Sequence, residues 1–128
     1  IGLEVARELA REGANLLLAD VNETAGAAAV QELSALTAVQ FVRVDLTAPA
    51  SVAAMVEAAL ARFGAIDGFV NSAAILDDKT FEESSPEDWK RMLDVCLLGP
   101  MHCLHAVLPV MKRQGHGRIV CFSSDSAR

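Results

Sequence analysis

Short apolar runs alternate with amphipathic stretches along the whole chain, and each run stops at a polar residue. Leu16-Leu17-Leu18-Ala19 stops at Asp20, Val39 to Val44 at Asp45, Ile66 to Val70 at Asn71, and the run after Arg118 at Ser123-Ser124. The run Leu16–Ala19 is continuously apolar, which fits a strand covered on both faces, as in a parallel sheet. The stretches between them carry helical periodicity. Leu3, Ala6, Leu9 and Ala10 share one helix face ahead of Gly13. Asn22 caps a helix running through the alanines to about Leu36. Thr47 and Pro49 open a helix to Phe63 that Gly64 closes. Ser85-Pro86-Glu87-Asp88 opens another, past Trp89 and Leu93 to at least Leu98. A further helical stretch extends to about Arg113, and Gly115-His116-Gly117 turns the chain into the last strand. The order α-β-α-β-α-β-α-β predicts an α/β fold, a doubly wound parallel sheet with helices on both faces.

At 128 residues the chain makes one domain and not two, so residues 1–128 are read as a single unit. With 52% hydrophobic and 22% charged residues, disorder and fibrous structure are excluded. A net charge of −6 supplies no basic field, which argues against a nucleic-acid partner. Arg7, Glu12, Asp20 and their successors interrupt the apolar runs before the roughly 18 residues of a membrane span, so no membrane partner is expected. Cys96, Cys103 and Cys121 lack CxxC or paired spacing and fit a reducing, cytoplasmic compartment. Nothing resembles a signal segment, and both ends read as cuts through a longer protein.

In doubly wound sheets, ligands sit beyond the carboxyl ends of the strands. Here those ends carry Asp20, Asp45, Asn71 and Ser123-Ser124, a polar rim suited to a nucleotide. Asp20 stands close to the offset of roughly 20 residues expected between a glycine-rich turn, at Gly2, and a ribose-binding acid. A carboxylate there accepts from both ribose hydroxyls and repels a 2′-phosphate, which favours NAD over NADP. Taken alone, Asp20 is equally a strand terminator, and Asp45 before Thr47 equally a turn residue.

Ile1-Gly2, Asp20, Asp45-Leu46-Thr47, Asn71-Ser72-Ala73-Ala74, Asp94-Val95-Cys96-Leu97-Leu98-Gly99 and Gly117-Arg118-Ile119-Val120-Cys121-Phe122-Ser123-Ser124 together resemble the successive landmarks of the short-chain dehydrogenase/reductase (SDR) family. The match runs through all 128 residues in order. The resemblance implies a Rossmann-like NAD(P)-binding domain that lacks its first strand and C-terminal part. Ile1 and Gly2 would end the phosphate loop, Asp20 would hold the adenosine ribose, and Asp45 with Leu46 would contact the adenine. Asn71 and Ala73 would line the nicotinamide side, and Ser124 would bond the substrate oxygen. The family's catalytic Tyr-x-x-x-Lys would lie past Arg128. The chain contains no tyrosine, so by itself it is expected to be inactive.

Several positions depart from the family pattern. Ser72 stands where a second asparagine is usual, and Ala74 where glycine is usual. Cys96 replaces a catalytic asparagine whose main-chain carbonyl holds a relay water. Pro100 has no N–H to give the carbonyl four residues earlier, which is that of Cys96, so a locally opened helix is expected there. His102, Cys103 and His105 lack ligand partners at metal spacing and read as packing or a subunit interface. Cys121 reads as core, and Asp77-Asp78 with Glu82-Glu83 as a solvated face. No Gly-x-Ser-x-Gly elbow surrounds Ser123-Ser124, which argues against a hydrolase.

The leading expectation is an NAD(H)-dependent oxidoreductase moving a hydride between nicotinamide and a small alcohol or ketone. The alternatives are a non-catalytic dinucleotide binder and a methyltransferase-like protein holding S-adenosylmethionine. By family analogy the absent first strand belongs between Asn15–Asp20 and Ile66–Asn71, leaving a slot about 9–10 Å wide or a direct pairing of those strands. The isolated chain is accordingly expected to aggregate and to bind NAD poorly. The resemblance also implies a homo-oligomer, dimer or tetramer, built through the helices after Pro86, with Leu104, Val107 and Leu108 as candidate contacts.

Overall fold

The computed structural model describes residues 1–123. Helix α1 (Gly2–Arg11) leads into strand β1 (Leu16–Asp20), followed by α2 (Glu23–Leu33), β2 (Val39–Arg43), α3 (Pro49–Phe63) and β3 (Gly68–Asn71). Helix α4 (Pro86–Leu93), a π-helical stretch Asp94–Leu98, α5 (Gly99–Gln114) and β4 (Arg118–Cys121) complete the order.

The strands form two parallel pairs, β1 with β2 and β3 with β4, and β1 and β3 do not pair. The expected slot is therefore kept open rather than closed. Two cores nevertheless tie the pairs into one layered body. On one face Ala6, Ala10, Leu16 and Leu33 cluster with Leu18 and Val39, so α1 and α2 cover β1 and β2. On the other, Val44, Val52, Met55, Val56, Cys103, Val107, Val110 and Met111 form a cluster that also receives Leu17, Val42, Phe69 and Ile119. All four strands thus rest on the α3–α5 layer, and successive residues of β1 point to opposite layers as a two-residue period requires.

Local chemistry sets the element ends. The Asn22 side chain accepts the Ala25 N–H at 3.0 Å, as its capping role predicts. Helix α2 stops at Leu33, earlier than expected, because the Ser34 hydroxyl bonds the Val30 carbonyl and the next amides fold back on Leu33. The α3 cap is Ala48, not Thr47; Thr47 is drawn off by Asp45. Gln114, ending α5, clamps the Ile66 backbone through two side-chain bonds of 3.0 Å, and β3 proper starts only at Gly68.

Ser85 caps α4 as a full capping box with Asp88, whose carboxylate also holds Lys79 at 2.7 Å. Lys79, then the Ser85 N–H and hydroxyl, lower the Asp88 pKa from 3.8 to about 2. An acid depressed on folding stabilises the fold above its unfolded value, and that contribution is lost as pH falls toward the folded one. Replacing Asp88 with asparagine is expected to flatten the fall in stability between about pH 4 and pH 2 in acid titrations followed by circular dichroism. An unchanged acid limb would contradict the assignment.

Four expectations need correction. Cys121 is exposed rather than core, because β4 has a partner on one edge only among the described residues. Val107 is 1% exposed and packs in the core, so it offers no subunit surface. Strand β1 is only partly covered, with Leu16 buried but Ala19 and Asp20 exposed, since its edge toward β3 is unpaired. Finally, Pro86–Gln114 is a continuous 29-residue helical run, long and apolar enough by length and composition to cross a membrane. The helix passes through Gly99-Pro100, joining the stretch expected to reach at least Leu98 to the one expected to reach about Arg113. Its Cys103–Met111 face is packed against α3.

Candidate functional site

The strand ends that carry Asp20, Asp45 and Asn71 lie along one rim. In the β1–β2 register Asp20 stands opposite Arg43, and the Val44 N–H bonds the Asp20 carbonyl at 3.0 Å, which sets Asp45 beside the same edge. In the other pair Asn71 stands opposite Cys121, and the Phe122 N–H bonds the Asn71 carbonyl at 2.9 Å. Contacts across the slot align the two edges. A Cβ on Gly2, at the start of α1, would lie 2.6 Å from the Ser72 hydroxyl just past β3. The Cys96 thiol donates toward the Ile75 carbonyl at 3.6 Å, bringing the π-helical stretch to the segment after β3. The same helix reaches the segment after β2: a Cβ on Gly99 would lie 2.9 Å from Leu46 Cβ, and His102 Nδ1 is 2.9 Å from the Leu46 carbonyl. Gly2, Asp45-Leu46, Asn71-Ser72 and Cys96 therefore surround one end of the sheet.

Each group has chemistry to spare. Asp20 is exposed and uses one carboxylate oxygen on the Asn22 N–H at 2.9 Å, while the other has no partner among the described residues. Asp45 accepts the Thr47 hydroxyl at 2.7 Å and the Thr47 N–H at 2.9 Å, both on Oδ1. These bonds hold its carboxyl below the usual range, with smaller help from Arg43. Neither the Leu46 N–H nor Asp45 Oδ2 has a hydrogen-bond partner among the described residues. Asn71 is the buried polar residue of this rim, 6% exposed, and its main-chain carbonyl accepts the Phe122 N–H at 2.9 Å. Ala73 and Ala74 are exposed beside it, and Ile1 lies exposed at the mouth of α1. Ser124 lies outside the described residues.

Over Asp94–Leu98 the helix opens to π geometry, with the Gly99 N–H bonding the Asp94 carbonyl five residues back. Pro100 is four residues past Cys96 and five past Val95 and supplies no donor to either carbonyl. Such bulges recur at functional sites. Away from the rim, Cys103 is buried, and burial, with Cys121 nearby, pushes its thiol up to about 11. No His, Cys, Asp and Glu group able to hold a metal exists among the described residues.

The family model described as enoyl-(acyl carrier protein) reductase matches residues 1–128. This chain belongs to the short-chain dehydrogenase/reductase family. A 3-alpha-(or 20-beta)-hydroxysteroid dehydrogenase of Mycobacterium tuberculosis is 36% identical over 124 residues, covering 97% of this chain and 47% of that protein. The short-chain reductase protein NovJ of Streptomyces niveus is 38% identical over 129 residues, covering 100% of this chain and 49% of NovJ. Among solved structures, an actinorhodin polyketide ketoreductase variant with NADPH superposes with a TM-score of 0.91 at 28% identity, over 96% of this chain and 48% of that one. The SDR chain thus spans about half the length of the relatives it matches. Its fold is the family's Rossmann type, its relatives are oxidoreductases, and the family binds nicotinamide cofactors.

Two features of the rim were missed by sequence reasoning. His102 was read as packing, yet it bonds the Leu46 backbone, and Gly99 is where the helix comes against Leu46. Both sit on α5, more than fifty residues from Leu46, and no local periodicity signals such a contact.

Proposed function

We propose that the chain forms the coenzyme-binding part of an NAD(H)-dependent SDR that interconverts a small alcohol and a ketone. The observation that carries this reading is the gathering of Asp20, Asp45, Gly2 and the buried Asn71 on one rim at the carboxyl ends of the strands. A bound nicotinamide supplies or accepts the hydride. Asp20 accepts from the adenosine ribose hydroxyls with its open oxygen, and its negative charge disfavours a ribose 2′-phosphate, so NAD is preferred although the ketoreductase relative was solved with NADPH. Asp45 and the Leu46 N–H take the adenine edge. Gly2, opening α1, presents the helix N-terminus to the phosphates with Ile1. Asn71 and Ala73 line the nicotinamide side. Ser124 donates its hydroxyl to the substrate oxygen, and the Cys96 carbonyl, short of a donor at Pro100, holds a relay water.

The exposed Leu93, Leu97, Met101 and Leu108 on α4 to α5 form the contact of a homo-oligomer. The free cysteines fit a reducing, cytoplasmic setting.

The test is NADH oxidation by the intact protein against a panel of small ketones. Turnover with NADH above that with NADPH is expected, and Ser124→Ala is expected to lower kcat about a hundredfold or more. No oxidation with any carbonyl, together with tight S-adenosylmethionine binding, would overturn the reading.

A further inference from the structure

The peptide unit joining Leu46 to Thr47 is held at both ends. Its N–H donates to Asp45 Oδ1 at 2.9 Å, and its carbonyl lies 2.9 Å from His102 Nδ1. A carbonyl only accepts, so the imidazole carries a proton on Nδ1 and donates it. His102 is half-buried, one turn after Gly99, and a Cβ on Gly99 would come within 2.9 Å of Leu46 Cβ. The Leu46 side chain is thus backed by the helix at Gly99 while its carbonyl is anchored at His102. Nothing else bonds that carbonyl among the described residues.

We propose that His102 is a positioning residue for adenine recognition: by anchoring the Leu46 carbonyl it fixes the Leu46–Thr47 peptide, and through the Thr47 N–H the orientation of the Asp45 carboxylate. The inference rests on the reading that places adenine at Asp45-Leu46. An adenine edge offers an amino donor next to a ring-nitrogen acceptor; Asp45 Oδ2 and the Leu46 N–H, both without a partner among the described residues, would supply the complementary acceptor and donor. That match requires the carboxylate and the N–H to keep one relative geometry. Without the imidazole the Leu46–Thr47 peptide is free to rotate, and the Asp45 rotamer rotates with it. The bond also polarises the peptide, strengthening the Thr47 N–H as a donor to Asp45. His102 touches no ligand in this scheme; it acts through the backbone.

The experiment measures Kd for two probes, ADP-ribose and nicotinamide mononucleotide, on the intact protein and its His102 variants. An asparagine amide nitrogen reaches the position of imidazole Nδ1, whereas a glutamine amide reaches that of Nε2. His102→Leu and His102→Gln are expected to weaken ADP-ribose about fivefold to tenfold, the worth of one net hydrogen bond. His102→Asn is expected to stay within about twofold of the parent. Nicotinamide mononucleotide should bind all of them alike, and the Thr47 amide should exchange hydrogen faster in the leucine and glutamine variants only. Equal ADP-ribose affinity across the set, or a matching loss for nicotinamide mononucleotide, would overturn the proposal. Asp45→Ala separates the two levels. If it leaves ADP-ribose affinity unchanged, the adenine placement fails and the proposal fails with it. If it weakens ADP-ribose while His102→Leu and His102→Gln do not, the positioning role alone fails. Should the leucine variant not fold, the asparagine and glutamine pair decides.

Discussion

Asp20→Asn is expected to cost the intact protein about tenfold or more in kcat/KM with NADH while leaving that with NADPH level or higher. Charge and lone pairs set the effect. Asp20 ends β1 in the open, with one oxygen committed to the Asn22 N–H and one available. An ionised carboxylate accepts strongly from a hydroxyl pair, whereas an amide oxygen accepts more weakly and its NH₂ accepts not at all. The same substitution removes the repulsion that a 2′-phosphate meets. Its nearest cationic neighbour in register, Arg43, leans toward Glu23 at 4.0 Å, so an incoming phosphate finds that cation already shared. The two coenzymes are therefore expected to converge in kcat/KM by at least tenfold, read from steady-state kinetics with each. Parallel losses for both would mean that Asp20 acts on the fold rather than on the ribose.

Gly26→Val is expected to destabilise by about 3 kcal/mol and lower Tm by roughly 10 °C in thermal melts. Gly26 lies inside α2, where exchange for a residue with a side chain ordinarily removes a helix penalty of about 1 kcal/mol. Here the sign reverses, because a Cβ on Gly26 would overlap the Phe41 ring of β2, with the ring Cζ at 2.5 Å and two further ring carbons nearer still. That is ring carbon, not a flexible chain end, so either the ring or the helix must move. Phe41→Leu in the same chain is expected to recover part of the loss, giving a coupling of about 1 kcal/mol or more in the double-mutant cycle. A stabilised Gly26→Ala protein would show that the helix does not press on that ring.

The alternation of elements was legible because it is local. The periodicity around Leu3–Ala10, the Asn22 and Ser85 caps and the polar residues closing each strand act within a few residues of themselves. Pro100 was informative for the same reason, and the helix does leave α geometry over Asp94–Leu98. The slot was legible through the family resemblance, which supplied a strand order that hydrophobic periodicity does not encode. What stayed hidden depends on distant partners. Cys121 looks like any strand cysteine until the open edge of β4 is known, and Val107 looks like a surface leucine's neighbour until α3 is laid beside it. The Gly26–Phe41 and His102–Leu46 contacts join segments that only the folded chain brings together. The candidate site divides in the same way: residue types at strand ends could be read, but not which of their donors and acceptors remain unused.

One end of the sheet, and only that end, is proposed to receive the coenzyme. NADH affinity measured on the intact protein for Asp20→Asn, Asp45→Ala and Asn71→Leu, set against Asp67→Asn, tests it most directly. Asp67 precedes β3 at the opposite end of the sheet, exposed beside His116. Each rim variant is expected to weaken NADH about fivefold or more, while Asp67→Asn stays within about twofold. Rim variants that bind as the parent does, or an Asp67 variant that loses as much as they do, would contradict it.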